Sequence, residues 1–351
     1  MALTSPVTSA TKAPVCFFRH PALFFDALAG KLPGIRREGF MQLRDLIMVF
    51  SSFVSMAAGV FLPGLAGPLE AMPRLMLMVM LYLSFLAVGA GALWDELRAM
   101  PGIVCRLTAL RLLALPLFVF AVFRLVMPEF SLGALLLGAA PVGVMAAVFS
   151  LMLGANTALI LVGNIVTSLL LPLSLPLLLS CTDGALRALG TGGLDLPENF
   201  SLGGMTISLC ITILLPFAAA MGTRALPRLT GGILRRHFPL LTTAVIISNL
   251  GIFSNYAGVL RQSPALILHA LLASCLLCVV MTAAALPATR GMPRQVRLAF
   301  LISFGVINNI LLMIVSNEFF TVNEALMGAA YLVPLYILLF YYRYCSRTPA
   351  R

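Results

Sequence analysis

Long stretches of the chain carry no Asp, Glu, Lys or Arg: residues 46–69, 75–94, 130–182, 203–223, 238–260, 262–289, 298–317 and 325–342. A helix needs about 20 apolar residues to cross the hydrocarbon core of a bilayer, so most of these stretches are single spans and 130–182 holds two. The region 104–123 adds another, with Arg111 set inside it. The pattern predicts roughly ten transmembrane helices in an all-α polytopic membrane protein.

Composition agrees. Of 351 residues, 61% are hydrophobic and 10% charged, with mean hydropathy +1.04, too little charge to coat a soluble domain of this length. The net charge of +11 would suit nucleic acid, but its placement argues for a lipid bilayer instead. Counting alternate connections, one side collects Arg19, Lys31, Arg36, Arg37 and Arg44, then Arg98 and Arg106, then Arg224, Arg228, Arg235 and Arg236, then Arg290, Arg294 and Arg297, then Arg343, Arg347 and Arg351. The other side receives Arg74, Arg124, Arg187 and Arg261. This bias predicts a multi-pass protein of the plasma (bacterial inner) membrane with both termini cytoplasmic, which requires an even number of spans. The first 45 residues lack the short apolar core and cleavage site of a signal peptide. Their Phe17, Phe18, Leu23, Phe24, Phe25, Leu28 and Leu32, mixed with Arg19 and Lys31, read either as an interfacial amphipathic helix or as a disordered leader. Cys275 and Cys278 form a CxxC inside an apolar stretch without His or carboxylate neighbours, which reads as packing rather than metal or redox chemistry. Oligomeric state is open.

The chain also repeats itself. GVMAAVFSLM begins at Gly143 and GVINNILLMI at Gly305, 162 residues later, and the same shift carries Pro172 onto Pro334. The predicted organisation is a cytoplasmic segment 1–45, five helices over 46–180, a polar Gly-rich connection 181–202, five more helices over 203–343 and a tail 344–351. With five spans in each half, the second half enters the membrane from the opposite side, and common ancestry would make the halves inverted repeats. GAAPVGVMAA (138–147) reads as a helix interruption, because Pro141 and Gly143 cannot support a regular helix interior. FGVINN (304–309) is its counterpart, with Gly305 and the amides Asn308 and Asn309. Interrupted helices that meet at mid-membrane and expose backbone to a solute are a transporter's architecture; tight helix packing is the plainer account of these glycines.

At these residues the sequence resembles the bile acid:sodium symporter family. PVGVMAAVFSLMLGANTALILVGNIVTSLLLPLSLP (141–176) is similar to that family's fourth and fifth helices, anchored by Pro141, Gly143, Asn156, Ala158, Leu159 and Pro172. RLAFLISFGVINN (297–309) is similar to its ninth helix, LILHALLASCLL (266–277) to its eighth and RLLALP (111–116) to its third. The resemblance implies ten helices, a core domain with two crossing broken helices, a smaller panel domain, and alternating access for an organic anion. The sodium chemistry does not carry over. Ala146 and Ala147 stand where the family has a Ser-Asn pair, Ile160 where it has serine, Asn164 where it has threonine, Ser303 where it has glutamate, and Ile307 where it has glutamine. Sodium needs several hard oxygen ligands, so no cofactor is expected and sodium is not expected at the family sites. The family's third-helix glutamine aligns with Arg111, whose fixed guanidinium could replace a bound cation or pair with a carboxylate or sulfonate. Alternatively the third helix starts later and Arg111 snorkels to the headgroups.

The candidate substrate-binding residues are therefore Arg111, Gly143, Asn164, Ser303, Gly305, Asn308 and Asn309, with Thr167 and Ser168 beside Asn164. His269 is a candidate for proton coupling or a hydrogen-bonded packing residue. The expected function is transport of a small or amphipathic organic anion. A permease of the auxin-efflux-carrier type and a solute sensor that does not transport are the alternatives. An arsenite exporter is disfavoured by the lack of cysteine at the first break. Catalysis is not expected, since the chain has no HExxH and no Gly-x-Gly-Asp in a span, and His20, His237 and His269 cannot share a metal site.

Overall fold

The computed structural model describes residues 43–88, 90–143 and 145–347, and among these it is all-α, 84% helical with no strand. The segment 1–42 and the last four residues lie outside the described residues, so neither reading of the N-terminal segment is addressed.

The principal helices are α1 (Leu43–Phe61), α2 (Pro73–Ala87), α3 (Ala90–Ala99), α4 (Pro101–Val126), α5 (Ser131–Ala139), α6 (Ala146–Leu153), α7 (Thr157–Ala188) and α8 (Leu202–Arg224). They continue with α9 (Pro227–Arg235), α10 (His237–Asn255), α11 (Pro264–Ala288), α12 (Arg294–Gly305), α13 (Asn309–Phe319), α14 (Val322–Ala330) and α15 (Leu332–Arg347). Among the described residues five of these, α4, α7, α8, α10 and α11, are individually long and apolar enough to cross a membrane. The chain is accordingly an all-α protein with the helices of a membrane-embedded one.

Local sequence sets where the helices start. Proline occupies the first turn of α2, α4, α9 and α11, where its missing N–H costs nothing. Asn156 and Ser201 cap α7 and α8 by accepting the backbone N–H of Leu159 (3.0 Å) and Gly204 (3.1 Å). Thr321 and Glu324 form a capping box at α14. One boundary differs from the sequence reading. The connection expected to begin at residue 181 begins instead after Ala188, because Arg187 Nε pairs with Asp183 one turn back (2.8 Å) and the other Asp183 oxygen accepts the Leu194 N–H (2.8 Å).

The helices pack as two groups. In the first, α1 lies on α10, α10 on α2, and α2 on α8. In the second, α4, α5, α7, α11, α12, α14 and α15 surround the short α6 and α13. The groups meet where α13 touches α2, α8 and α10, and where α7 lies beside α8.

Inside the second group two helices are interrupted and their interruptions touch. α5 stops at Ala139 and α6 starts at Ala146; α12 stops at Gly305 and α13 starts at Asn309. Between them Val142 and Ile307 form an antiparallel bridge, with the Gly143 N–H donating to the Val306 carbonyl (2.8 Å) and the Asn308 N–H to the Pro141 carbonyl (2.9 Å). The Val142 N–H donates to Thr167 Oγ1 (3.2 Å) and the Ala140 N–H to the Leu137 carbonyl (3.2 Å). Pro141 has no N–H, so every donor from Ala140 to Gly143 has a partner, as a low-dielectric interior demands. The crossing also explains the glycine. A Cβ on Gly143 would lie 2.7 Å from the Ile307 carbonyl oxygen, a backbone atom held by the bridge itself.

Gly143→Ala is therefore expected to lower the unfolding free energy by about 1–3 kcal/mol through overpacking. Gly231→Ala in α9, where a Cβ meets nothing within 4 Å, should instead stabilise by at most ~1 kcal/mol. Thermal unfolding of the two purified variants in detergent checks both signs.

Candidate functional site

The crossing lies under a cleft of about 60 Å³ between the two helix groups. Its floor is Gly143, Met145, Phe149 and residues 306–310; Ser52, Met80, Val245 and Asn249 come from α1, α2 and α10, and Leu332, Leu335 and Tyr336 from α15.

Asn308 sits at the centre. It is the N-cap of α13, and its Oδ1 accepts the Leu311 N–H (3.3 Å). That N–H can only donate, so the amide's orientation is fixed and Nδ2 points away from the helix. The residue is 5% exposed, yet Nδ2 has no partner. Asn309 is spent differently, with its Nδ2 donating to the Gly328 carbonyl (3.3 Å) and tying α13 to α14. Both α6 and α13 begin at the crossing, so the positive dipole ends of both lie near the floor of the cleft, although the Ala146 N–H already donates to the Gly143 carbonyl (3.0 Å) and the Leu311 N–H to Asn308.

Arg111 occupies a second cluster that lines neither described cleft. It is 0% exposed, mid-way along α4, which excludes the snorkelling arrangement. The helix widens there into a π-turn over Leu110–Ala114, with the Leu115 N–H reaching the Leu110 carbonyl. Pro116 supplies the cause, since it cannot donate to Leu112 and the ladder must readjust. Arg111 Nη1 donates to the Gly138 carbonyl in the last turn of α5, while Nε and Nη2 have no hydrogen-bond partner. Its electrostatic neighbours are Tyr331 and Tyr342. Tyr331 donates to the Gly305 carbonyl (2.8 Å) and Tyr342 to the Leu301 carbonyl, so this cluster caps the C-terminal end of α12 as Arg111 caps that of α5. Gly305 belongs here rather than to the cleft, because its missing side chain makes room for Tyr342 and Leu338.

The remaining candidates scatter. Asn164 Nδ2 donates to Ser84 of α2 (3.1 Å) and its Oδ1 accepts from Ser168 (3.3 Å), forming a polar link between α7 and the first helix group. Ser303 is buried on α12 with a hydroxyl that has no partner, and lines neither described cleft. His269 is exposed on α11, away from both clusters. The structure thus brings Gly143, Asn308 and Asn309 into one cleft and puts Arg111 and Gly305 together in another cluster.

Sequence reasoning missed Ser52, Asn249 and Tyr336 in the cleft and Tyr331 and Tyr342 beside Arg111. The signal for Asn249 was available: it is an amide inside the uncharged run 238–260, the same criterion that singled out Asn164. The tyrosines gave none, since a tyrosine at a helix end is ordinary at a membrane interface.

A second cleft of about 220 Å³ opens between the same groups, where α2 begins and α10 and α13 end. Here Arg74 donates to Ser208 Oγ (2.8 Å) and Thr212 Oγ1 (3.1 Å) of α8 and approaches Glu318 of α13 (3.5 Å). Ser208 also donates to Glu318 (2.9 Å), and Tyr256 donates to Asn317 (2.8 Å).

No family model matches the chain, and no curated protein matches it in sequence.

Asn308 carries a structural load besides any ligand. Asn308→Ala should cost about 1 kcal/mol of stability by uncapping α13, and Asn308→Ser should recover most of it, because a hydroxyl accepts the same N–H. Thermal unfolding of the two variants side by side checks this.

Proposed function

We propose that the chain is a secondary transporter carrying a small or amphipathic organic anion by alternating access, with no sodium ion coupled at the positions that the symporter resemblance would assign to it. The observation that carries the reading is the crossing of two interrupted helices beneath a cleft between two helix groups, with an unspent amide donor in its floor.

The helix order supports inverted repeats. Taking α5 with α6, α12 with α13 and α14 with α15 as single interrupted or bent passages, and leaving out the short α3 and α9, gives ten passages in two sets of five. The interruption falls in the fourth passage of each set, and the downstream halves start at Ala146 and Asn309, 163 residues apart against the 162 of the sequence repeat. In this reading α1, α2, α8 and α10 are the panel and the second group is the core.

Chemistry favours an anion at the cleft. The α13 N-terminus and Asn308 lie in the floor, the α6 N-terminus begins beside it, and among the described residues no carboxylate lines the cleft. A sodium ion fits less well. The side chains of Ala146, Ala147, Ile160 and Ile307 bring no oxygen to the positions implied for its ligands, and Arg111 already puts a fixed positive charge against the carbonyl end of α5. Arg111 acts in this proposal as a built-in counter-charge beneath the crossing, which makes transport independent of a sodium gradient. His269 is exposed on α11 and does not line the cleft.

The test is uptake of a radiolabelled organic-anion panel into proteoliposomes, with and without an imposed sodium gradient, for wild type and Arg111→Gln. The expected result is sodium-independent flux of at least one anion, reduced by ~10-fold or more in the variant, equivalent to about 1.4 kcal/mol of lost stabilisation. Strong stimulation by sodium overturns the fixed-charge part of the proposal. Saturable binding without flux favours the sensor reading over transport.

A further inference from the structure

Asn249 stands across the cleft from Asn308, on α10 of the other helix group, and it mirrors Asn308 in one respect. Its Nδ2 is fully engaged, donating to the Ser52 backbone carbonyl (3.3 Å), Ser52 Oγ (3.0 Å) and Ser55 Oγ (3.2 Å) of α1. A backbone carbonyl can only accept, so the amide cannot be turned over without losing that bond. Its Oδ1 therefore faces the other way, and in a side chain only 1% exposed it has no partner.

One cleft is thus lined by a residue with an unpaired donor on one helix group and a residue with an unpaired acceptor on the other, both atoms buried and without a partner among the described residues. Buried polar groups left unpaired are costly, and a ligand that satisfies both gains that difference on binding. The donor at Asn308 matches the anionic end of a substrate. The acceptor at Asn249 matches an O–H or N–H group elsewhere on it. An ammonium is a poor fit, because among the described residues no carboxylate lines the cleft to compensate its charge. We infer that Asn249 is a specificity-determining residue that accepts a hydrogen bond from a neutral donor on the transported anion, so that the preferred substrates are hydroxylated carboxylates rather than their deoxy analogues. The inference rests on the transport reading above and deepens it.

A site built to bond a substrate hydroxyl rejects the analogue that lacks it far more strongly than an apolar wall can reject an added methylene. The experiment uses matched pairs across a range of size: lactate with propionate, mandelate with phenylacetate, and 3-hydroxydecanoate with decanoate. Each pair competes for uptake into proteoliposomes containing wild type or Asn249→Leu, a change close in shape that removes the acceptor. Asn249→Ala replaces it if the leucine variant is not monodisperse after purification. Wild type is expected to favour the hydroxylated member of the transported pair by ~10-fold or more, and the variant to bring the ratio within ~2-fold while still moving the deoxy member. Uptake without that preference in wild type, or a preference that survives in the variant, overturns the role of Asn249 and leaves transport standing. If no member is taken up, transport of these anions fails, and thermal stabilisation of the detergent-solubilised protein by the same pairs decides the rest. Stabilisation by the hydroxylated member alone, lost in the variant, retains Asn249 as a ligand-reading residue; no stabilisation by any member overturns both.

Discussion

A helix interrupted inside an apolar interior must find new partners for the backbone groups it frees. Leaving one unpaired costs about 1–3 kcal/mol, and here two helices are interrupted. The solution is mutual: Gly143 donates to Val306, and Asn308 donates to Pro141. Most of the surrounding sequence follows from that exchange. Gly143 lacks a side chain because the partner backbone occupies its place, Thr167 turns its hydroxyl to the Val142 N–H, and Asn308 closes the first turn of α13.

The same interruptions organise the charge. Two helices end near the crossing and two begin there, so carbonyl ends and N–H ends are brought close together. On the carbonyl side the chain supplies Arg111, Tyr331 and Tyr342, one cation and two hydroxyls directed at Gly138, Gly305 and Leu301. On the N–H side it supplies a cleft that, among the described residues, no carboxylate lines. A guanidinium buried in an apolar helix is expensive, and its placement against the negative end of α5 is where that expense is most reduced. The π-turn over Leu110–Ala114 widens the helix at the residue that bears this charge.

Much of this was legible in the sequence. Uncharged runs located the apolar helices, and Pro141 with Gly143 located the first interruption to within a few residues. The 162-residue repeat located the second, although Gly305 is the last helical residue there and the unwound segment follows it. Arg111 was visible as a charge in an apolar run, but its partner was not, because a backbone carbonyl 27 residues away leaves no mark in the sequence. Asn308 and Asn309 looked equivalent as neighbours in FGVINN. The helix start separates them, making one the cap with a spare donor and the other a tie to Gly328. The far wall of the cleft was legible only in part: Asn249 stands out as an amide in an uncharged run, but Ser52 is 197 residues away and only packing makes them neighbours.

What can move follows from the same accounting. The bridge fixes α5, α6, α12 and α13 to one another through backbone hydrogen bonds, and loosening it would strand donors in an apolar interior. The contact between the two helix groups is of another kind. It includes side chains of α13 against α2, α8 and α10, of α7 beside α8, one buried hydrogen bond from Asn164 to Ser84, and a partly exposed polar cluster in which Arg74, Ser208 and Glu318 exchange hydrogen bonds that water can replace. Separating the groups therefore costs less than remodelling the crossing. In the proposed transport cycle the cleft of about 60 Å³ would enlarge by one group shifting as a body against the other, with the floor unchanged. Asn308 and Asn249 sit on opposite sides of that division, so the distance between the unspent donor and the unspent acceptor is the quantity such a shift would alter most directly.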